Sequence, residues 1–200
     1  MEKTDLQLIE ESIYLTQGRS SFNILIERHA RSVYFFVFRL VGNKEDSEDI
    51  SQETFIKAWQ KLSKFDTEKS FKTWLFSIAK NTAVDKLRKK KSISFSSLNI
   101  SNNLDSDVSS GGSNTGTIAD FESNIMDTED LPDEIFAKKE AEENLRKALE
   151  KLSESQRLLI YLHVNEELTF EEIAEITENP MNTVKSQYRR AIIKLKTLLK

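Results

Sequence analysis

Seven side chains within one short stretch carry the clearest chemistry in this chain: Asn182, Thr183, Lys185, Ser186, Gln187, Arg189 and Arg190. Cations, amides and hydroxyls are the groups that bond phosphate oxygens and base edges, arginine suiting guanine and asparagine or glutamine suiting adenine. They lie in a segment, 180–200, that holds six basic residues and no acid. A second constellation interleaves cations and aromatics as Lys64, Phe65, Lys69, Phe71, Lys72, Trp74, Phe76, Lys80, Asn81, Lys86 and Arg88. Exposed aromatics beside cations suit unpaired bases, each of which offers a π-face and a phosphate. Stacking of this kind is worth about 1–3 kcal/mol per base, comparable with the cost of unstacking it. The plainer reading is a hydrophobic core. Trp59, Trp74 and Phe76 are expected there, whereas Phe65 and Phe71, beside a polar loop, fit either role.

A third group is acidic: Asp46, Glu48, Asp49 and Glu53. Its spacing is not that of a calcium loop, and no glycine stands at the turn position. It reads as a solvated helix face or, with Gln52 and Ile56 lying away from Phe55 and Trp59, as a protein-binding face. The chain has no cysteine, which excludes disulfides, thiolate zinc sites and thiol nucleophiles. His29 and His163 have no ligand spacing to each other and are expected to be structural or surface residues. No glycine-rich phosphate loop, nucleophile elbow or metal cluster appears. The chemistry is therefore that of binding; no catalytic residue, metal or cofactor is expected.

The elements that must position these groups are helical. Phe22, Ile26, Ala30, Val33, Val37 and Leu40 recur at steps of three or four, one helix face. Asp46-Ser47-Glu48-Asp49 reads as the next helix start, with Asp46 able to cap. Ile50, Phe55, Ala58, Trp59 and Leu62 would face inward from it. Trp74, Leu75, Ile78, Ala79 and Leu87 mark a third helix, ending in a basic run that suits the macrodipole. Beyond a polar stretch, Leu145, Leu149 and Leu152 form one stripe and Leu158, Leu159 and Leu162 a second, after a cap at Ser153 or Ser155. Thr169 to Glu172 is a capping box opening a short helix with Ile173, Ala174 and Ile176. Thr177 to Pro180 makes a turn, and Pro180 lies near the start of the last helix, where its missing N–H costs nothing. Two short helices about a tight turn, the second with a basic outer face, describe a helix-turn-helix.

Charge divides along the chain. The net charge of −4 conceals +6 over residues 22–91, −9 over 92–137 and +6 over 180–200. Phosphate responds to the local field, so an acidic whole does not exclude nucleic acid. Residues 92–137 hold no lysine or arginine and are rich in Ser, Asn, Asp and Gly, the composition of a flexible linker. The fold class expected is all-α: two small helical domains joined by a long polar acidic linker, the second a helix-turn-helix. Their bounds would be 1–91, 92–137 and 138–200. No apolar run approaches the ~18 residues of a membrane span, and acids at the N-terminus oppose a secretory signal. A cytoplasmic location is expected.

Three segments together resemble the extracytoplasmic-function (ECF) class of bacterial sigma factors. Asp46 to Phe55 is similar to the region-two helix that docks on the clamp helices of RNA polymerase. Phe71 to Asn81, through Asp85 and Arg88, is similar to the segment that melts and reads the minus-ten element. Thr169 to Arg190 is similar to the region-four helix-turn-helix that reads the minus-thirty-five element. Asn182 stands where glycine is usual, Gln187 where arginine is frequent, and Ser51 where an aliphatic residue is usual. The resemblance implies a non-enzymatic promoter-recognition subunit of core RNA polymerase, with promoter DNA and a cognate anti-sigma factor as partners and no membrane insertion. It implies polymerase contacts at Asp46, Asp49, Gln52, Glu53 and Ile56, and minus-ten contacts at Lys64, Phe65, Phe71, Lys72, Lys80, Asn81 and Arg88. The seven residues from Asn182 to Arg190 would contact the minus-thirty-five element. It also implies that the acidic linker threads toward the polymerase cleft. The rivals are a helix-turn-helix regulator that binds duplex without polymerase and a nucleic-acid enzyme accessory. The first leaves 46–88 unexplained and the second lacks paired carboxylates.

Overall fold

A computed structural model describes residues 3–15, 18–91 and 132–199. The linker expected over 92–137 falls largely outside them. Among the described residues the regular structure is helical: α1 (Asp5–Tyr14), α2 (Gly18–Val41), α3 (Lys44–Lys61), α4 (Phe71–Lys91), α5 (Pro132–Glu150), α6 (Glu154–Ile160), α7 (Phe170–Thr177) and α8 (Met181–Leu198). A short 3-10 turn, Leu62–Lys64, follows α3, and a π-helical turn, Tyr161–Asn165, extends α6. No helix among them is long and apolar enough to cross a membrane.

Helix α1 had no counterpart in the sequence reading. Thr4 and Gln7 form a capping box at its start, and Leu8 and Ile9 are fully buried. Asp5 is tied to α2 by Arg28 and by His29, whose Nε2 lies 2.7 Å from Oδ2. His29 is thus a structural residue, buried and edge-on to Phe71. The hydrogen bond from His29 is the main cause of a lowered Asp5 pKa, with Arg28 adding to it against the opposing effect of burial.

In α2 the buried face holds Phe22, Val33 and Val37 as expected, with Leu25, His29 and Phe36 beside them. Gly42 at φ +66° ends α2, a left-handed position that glycine occupies without strain. The cap of α3 is Asn43, whose side chain accepts the Asp46 N–H at 2.9 Å. This corrects Asp46 as the cap: the helix begins one turn earlier, and Asp46 joins its first turn. The buried stripe of α3 runs through Ser47, Ile50, Ser51, Thr54, Phe55 and Ala58. Ser47, Ser51 and Thr54 bond back to carbonyls one turn earlier, so a polar seam is buried without orphaned hydroxyls. Trp59 falls at the stripe's edge. It packs on Phe22 at 4.9 Å but stays 38% exposed, so it is not the core residue expected.

Helix α4 closes the first domain, with Phe76 on Phe36 at 4.8 Å and Leu75, Phe76, Ala79 and Ala83 fully buried. In the second domain Ser153 caps α6 through a capping box with Gln156. Ala148 and Leu152 are buried near the end of α5 while Leu145 is exposed, so the expected leucine stripe enters the core only at its C-terminal end. The two domains are not separate bodies. Helix α4 packs on α7, and the buried apolar residues of both domains form one continuous cluster.

Candidate nucleic-acid interface

The helix-turn-helix is built by local rules. Thr169 accepts the Glu172 N–H at 3.2 Å, and Glu172 Oε2 accepts the Thr169 N–H at 2.8 Å. Helix α7 ends at Glu178, which adopts the left-handed conformation (φ 55°) although it is not glycine. Asn179 Nδ2 bonds the Thr177 carbonyl at 2.9 Å, and Pro180 caps α8. Helix α8 turns Val184 and Ala191 into the core. Tyr188 stands edge-on to His163 and Phe170, which stack on each other at 4.4 Å. His163 Nδ1 donates to the Leu168 carbonyl at 2.8 Å, so this histidine too is structural. What remains outward on α8 is Asn182, Lys185, Ser186, Arg189 and Arg190, all exposed, with Thr183 and Gln187 half-buried. Among the described residues no acid pairs with Lys185, Arg189 or Arg190.

The second basic surface is placed differently. Phe65 and Phe71 are buried, packed on each other at 5.8 Å and on Trp74 at 5.0 and 5.7 Å. These two are therefore corrected from strand contacts to core: the loop before α4 folds back and its aromatics shed water against each other. Trp74 is half-buried and Phe76 fully buried, as a core reading expects. Lys64, Asn81 and Arg88 remain exposed, Arg88 paired with Asp85 at 3.2 Å.

Lys72 and Lys80 meet acids of the second domain. Lys72 Nζ lies 2.7 Å from Glu166 Oε2 and donates to the Glu166 carbonyl at 2.8 Å. Lys80 Nζ lies 3.0 Å from Glu178 Oε1, and Lys69 Nζ lies 3.5 Å from Glu175 Oε1. Thr73 Oγ1 donates to Glu172 Oε1 at 2.9 Å. Glu166 is itself buried and receives the Tyr161 hydroxyl, which also lies 3.3 Å from the Ser32 carbonyl of α2. Burial, then the bond to Glu166, pushes the Tyr161 phenol well above its ordinary range. The Arg39 guanidinium covers its ring at 3.8 Å. Burial alone would raise the Glu172 carboxyl, but hydrogen bonds from Thr169, Thr73 and Ser70 outweigh it and hold the group below its ordinary value. The sequence reading missed these four acids. The available signal was spacing: Glu172 and Glu175 stand three residues apart on α7, and Glu178 follows three residues later at its C-terminal cap.

The acidic face on α3 is open. Asp49, Gln52, Glu53 and Ile56 are exposed, Ile56 by 57%, while Asp46 is half-buried. Lys86 of α4 holds Asp49 at 2.9 Å and Asp46 at 3.5 Å, and the bond to Asp49 is the main cause of a raised Lys86 pKa. Lys57 holds Glu53 at 2.8 Å. The result is a face of fixed carboxylates with one exposed aliphatic and a half-exposed indole at its rim.

Comparison with known proteins decides what this pair of domains is. Residues 25–93 match the family described as Sigma-70 region 2, and residues 142–195 match Sigma-70, region 4. The ECF RNA polymerase sigma factor SigW of Bacillus subtilis is 30% identical over 86% of this chain and 85% of its own length. The ECF RNA polymerase sigma-E factor of Escherichia coli K12 is 33% identical over 94% of this chain and 90% of its own. The chain belongs to the sigma-70 family, as an ECF sigma factor.

Two solved structures share the fold of this sigma factor. CnrH in complex with the cytosolic domain of CnrY aligns with a TM-score of 0.57 at 20% identity, covering 98% of this chain and 96% of that one. The sigma factor RpoE in complex with the anti-sigma factor NepR, from Bartonella quintana, aligns with a TM-score of 0.56 at 24% identity, covering 89% and 96%. The matched regions place α2 to α4 in region 2 and α6 to α8 in region 4. Directing core RNA polymerase to promoters, the activity of ECF sigma factors, is the function of this chain.

Proposed function

We propose that the sigma factor works by holding DNA and polymerase at three separate surfaces and makes no bond itself. Helix α3 docks on the largest subunit of core polymerase through Asp46, Asp49, Gln52, Glu53 and Ile56. The carboxylates are already oriented by Lys86 and Lys57, which lowers the entropy lost on docking. Exposed Trp59 extends this surface with an aromatic anchor of the kind that dominates interfaces. Asn182, Thr183, Lys185, Ser186, Gln187, Arg189 and Arg190 of α8 contact the minus-thirty-five duplex. Lys64, Lys72, Lys80, Asn81 and Arg88 hold the backbone of the opened minus-ten strand.

The single observation that carries this is the outer face of α8: Asn182 and the cations Lys185, Arg189 and Arg190 are exposed, and no acid pairs with those cations among the described residues, on a helix held by a capped turn. That face has the composition of a major-groove reader. The acidic segment between the domains extends into the polymerase cleft, and an anti-sigma factor masks the docking and DNA surfaces until a signal arrives. The pairing of two structural relatives with CnrY and NepR supports that last point. The protein acts in the cytoplasm.

The test is transcription of a promoter library by core polymerase with and without this chain. Initiation from a defined promoter set only when the chain is present is the expected result. Tight, specific duplex binding by the chain alone, with no effect on polymerase, would replace this reading with a stand-alone regulator.

A further inference from the structure

The interleaved aromatics and cations before and within α4 divide by role in the folded chain. Phe65, Phe71 and Trp74 form one ring cluster, with Lys64 exposed and Lys72 half-buried beside it. The loop that joins α3 to α4 folds by local bonds. The N–H groups of Glu68 and Lys69 bond back to Asp66, at 3.1 Å on its side chain and 3.0 Å on its carbonyl, and Ser70 Oγ accepts the Thr73 N–H at 3.3 Å. The seat of that loop is not local. Phe71 meets His29 of α2 edge-on at 5.5 Å, and His29 Nε2 lies 2.7 Å from Asp5 Oδ2 of α1. Helix α1 buries Leu8 and Ile9 fully and packs on the turn Leu62–Lys64 that opens the loop. It precedes the residues matched to region 2.

We propose that Asp5 and His29 are positioning residues for strand capture: the hydrogen bond between α1 and α2 fixes the seat of Phe71 and Phe65, and through these rings the placement of Lys64 and Lys72. The proposal rests on the reading above that these two lysines hold the opened strand. It gives α1 a part in promoter opening although none of its side chains touches DNA.

Apolar side chains could hold α1 in place as firmly, since a buried polar pair is often replaceable by hydrophobic residues without loss of stability. What the pair adds is direction. An imidazole bonded to a carboxylate keeps one ring orientation, and the edge it offers Phe71 is fixed with it. Asp5 is held in turn by Arg28, which bonds Oδ1 and donates to the Lys3 carbonyl at 3.0 Å. The carboxylate therefore leaves His29 only by breaking its bond to Arg28 as well. Beyond His29 the rings are in contact throughout, Phe71 with Phe65 at 5.8 Å and with Trp74 at 5.7 Å. A close-packed interior passes a displacement on rather than absorbing it. Lys64 precedes Phe65 and Lys72 follows Phe71, so a shift of either ring moves the backbone from which a lysine projects. Cations held in place lose less entropy on binding a strand than cations on a loose loop.

The test uses holoenzyme assembled from the full chain, on a promoter taken from the library above. Two fluorescein-labelled probes are compared by anisotropy: a fork with one strand unpaired over the minus-ten segment, and the upstream duplex alone. Asp5→Ala removes the partner of His29, and Asp5→Asn keeps one acceptor oxygen. Glu11→Gln is the control, because Glu11 ties Lys3 and Ser21 at the far end of α1, away from the rings. The ring cluster is read directly by Trp74 emission of the free chain in a Trp59→Phe background, which leaves Trp74 as the single indole.

Asp5→Ala should weaken fork binding about fivefold, leave the upstream duplex unchanged and shift Trp74 emission. Asp5→Asn should show a smaller loss on the fork alone, and it carries the test if Asp5→Ala fails to fold. Glu11→Gln should change neither probe. Lys64→Ala should cost less in the Asp5→Ala chain than in the wild type, since a misplaced lysine has less to lose. Equal losses on both probes make Asp5 a merely structural residue and overturn the proposal. Strictly additive losses for Asp5→Ala and Lys64→Ala, or an unshifted Trp74, overturn it too. Lys64→Ala with Lys72→Ala separates the two readings. If that pair weakens the fork and Asp5→Ala does not, only the positioning is wrong. If the pair leaves the fork bound as before, the assignment of the strand to these lysines is wrong as well.

Discussion

Helices α4 and α8 both carry runs of cations, and the structure uses them in opposite ways. Helix α4 is a core helix with a charged rim: Phe71, Leu75, Phe76, Ile78, Ala79 and Ala83 are buried, and its cations meet acids on two sides. Lys72 and Lys80 face region four, whereas Lys86 faces Asp46 and Asp49 of α3. Helix α8 buries only Val184 and Ala191 and leaves its cations outward. A run of lysines and arginines does not by itself make a binding surface. What distinguishes them is whether acids of the same chain reach the cations before a phosphate does. A helix with many buried neighbours brings such acids close, and a helix at the edge of a domain does not.

The contrast can be broken first at the core. Phe76→Ala removes a fully buried ring packed on Phe36 and should cost about 3–5 kcal/mol in urea unfolding. A loss under about 1 kcal/mol would show that α4 is not the core helix described here. Next, Arg189→Ala and Arg190→Ala should each weaken binding to minus-thirty-five duplex by about 1–3 kcal/mol, or lower the salt slope by about one if the contact is to phosphate. Neither should change the melting temperature, because neither side chain is buried. A stability loss matching the binding loss would place these arginines in the fold instead. Thr169→Ala should then cost about 1 kcal/mol by removing the capping box of α7. Circular dichroism melting of that variant against Thr73→Val separates the cap from the interdomain bond to Glu172.

Acid should loosen the chain in a defined direction. Asp5 and Glu172 have lowered pKa values in the folded chain, so the folded state binds their protons more weakly than the unfolded state. Their contribution is complete above the ordinary carboxylate range and is lost as pH falls through the lowered values. Denaturation midpoints should therefore drop on acidification below that range, and Asp5→Asn should flatten part of the slope. The smallest effect expected is at the exposed Lys80–Glu178 pair. A double-mutant cycle with alanine at both positions should return a coupling of about 0.2–1 kcal/mol, reduced by salt. Zero coupling would leave the contact between the domains to Glu166, Glu172 and apolar packing alone.

Much of this was legible in the residues. The capping box at Thr169, a cap at Ser153 or Ser155, the turn at Pro180 and much of the inward face of α2 follow from local rules, and the structure keeps them, with Ser153 as the cap. The cap of α3 was not, because Asn43 and Asp46 are both good caps and only the preceding glycine turn selects between them. Helix α1 was missed because it is short, ten residues, and its burial depends on α2. Trp59, Phe65 and Phe71 resisted assignment for a related reason. An aromatic at the edge of a helical stripe or beside a loop is core or surface according to where a distant element lands, and sequence spacing does not encode that.

Taken alone, the sequence determined the helices, their caps, the absence of thiol chemistry and the sign of charge in each segment, since these depend on neighbours within a turn or two. Tertiary structure decided which cations remain available. Lys72 meets Glu166 across 94 residues of chain and Thr73 meets Glu172 across 99, contacts that no local pattern specifies. The physical reason is range: hydrogen bonds within a helix are set by the backbone geometry of a few residues, whereas an ion pair between domains exists only once both have packed.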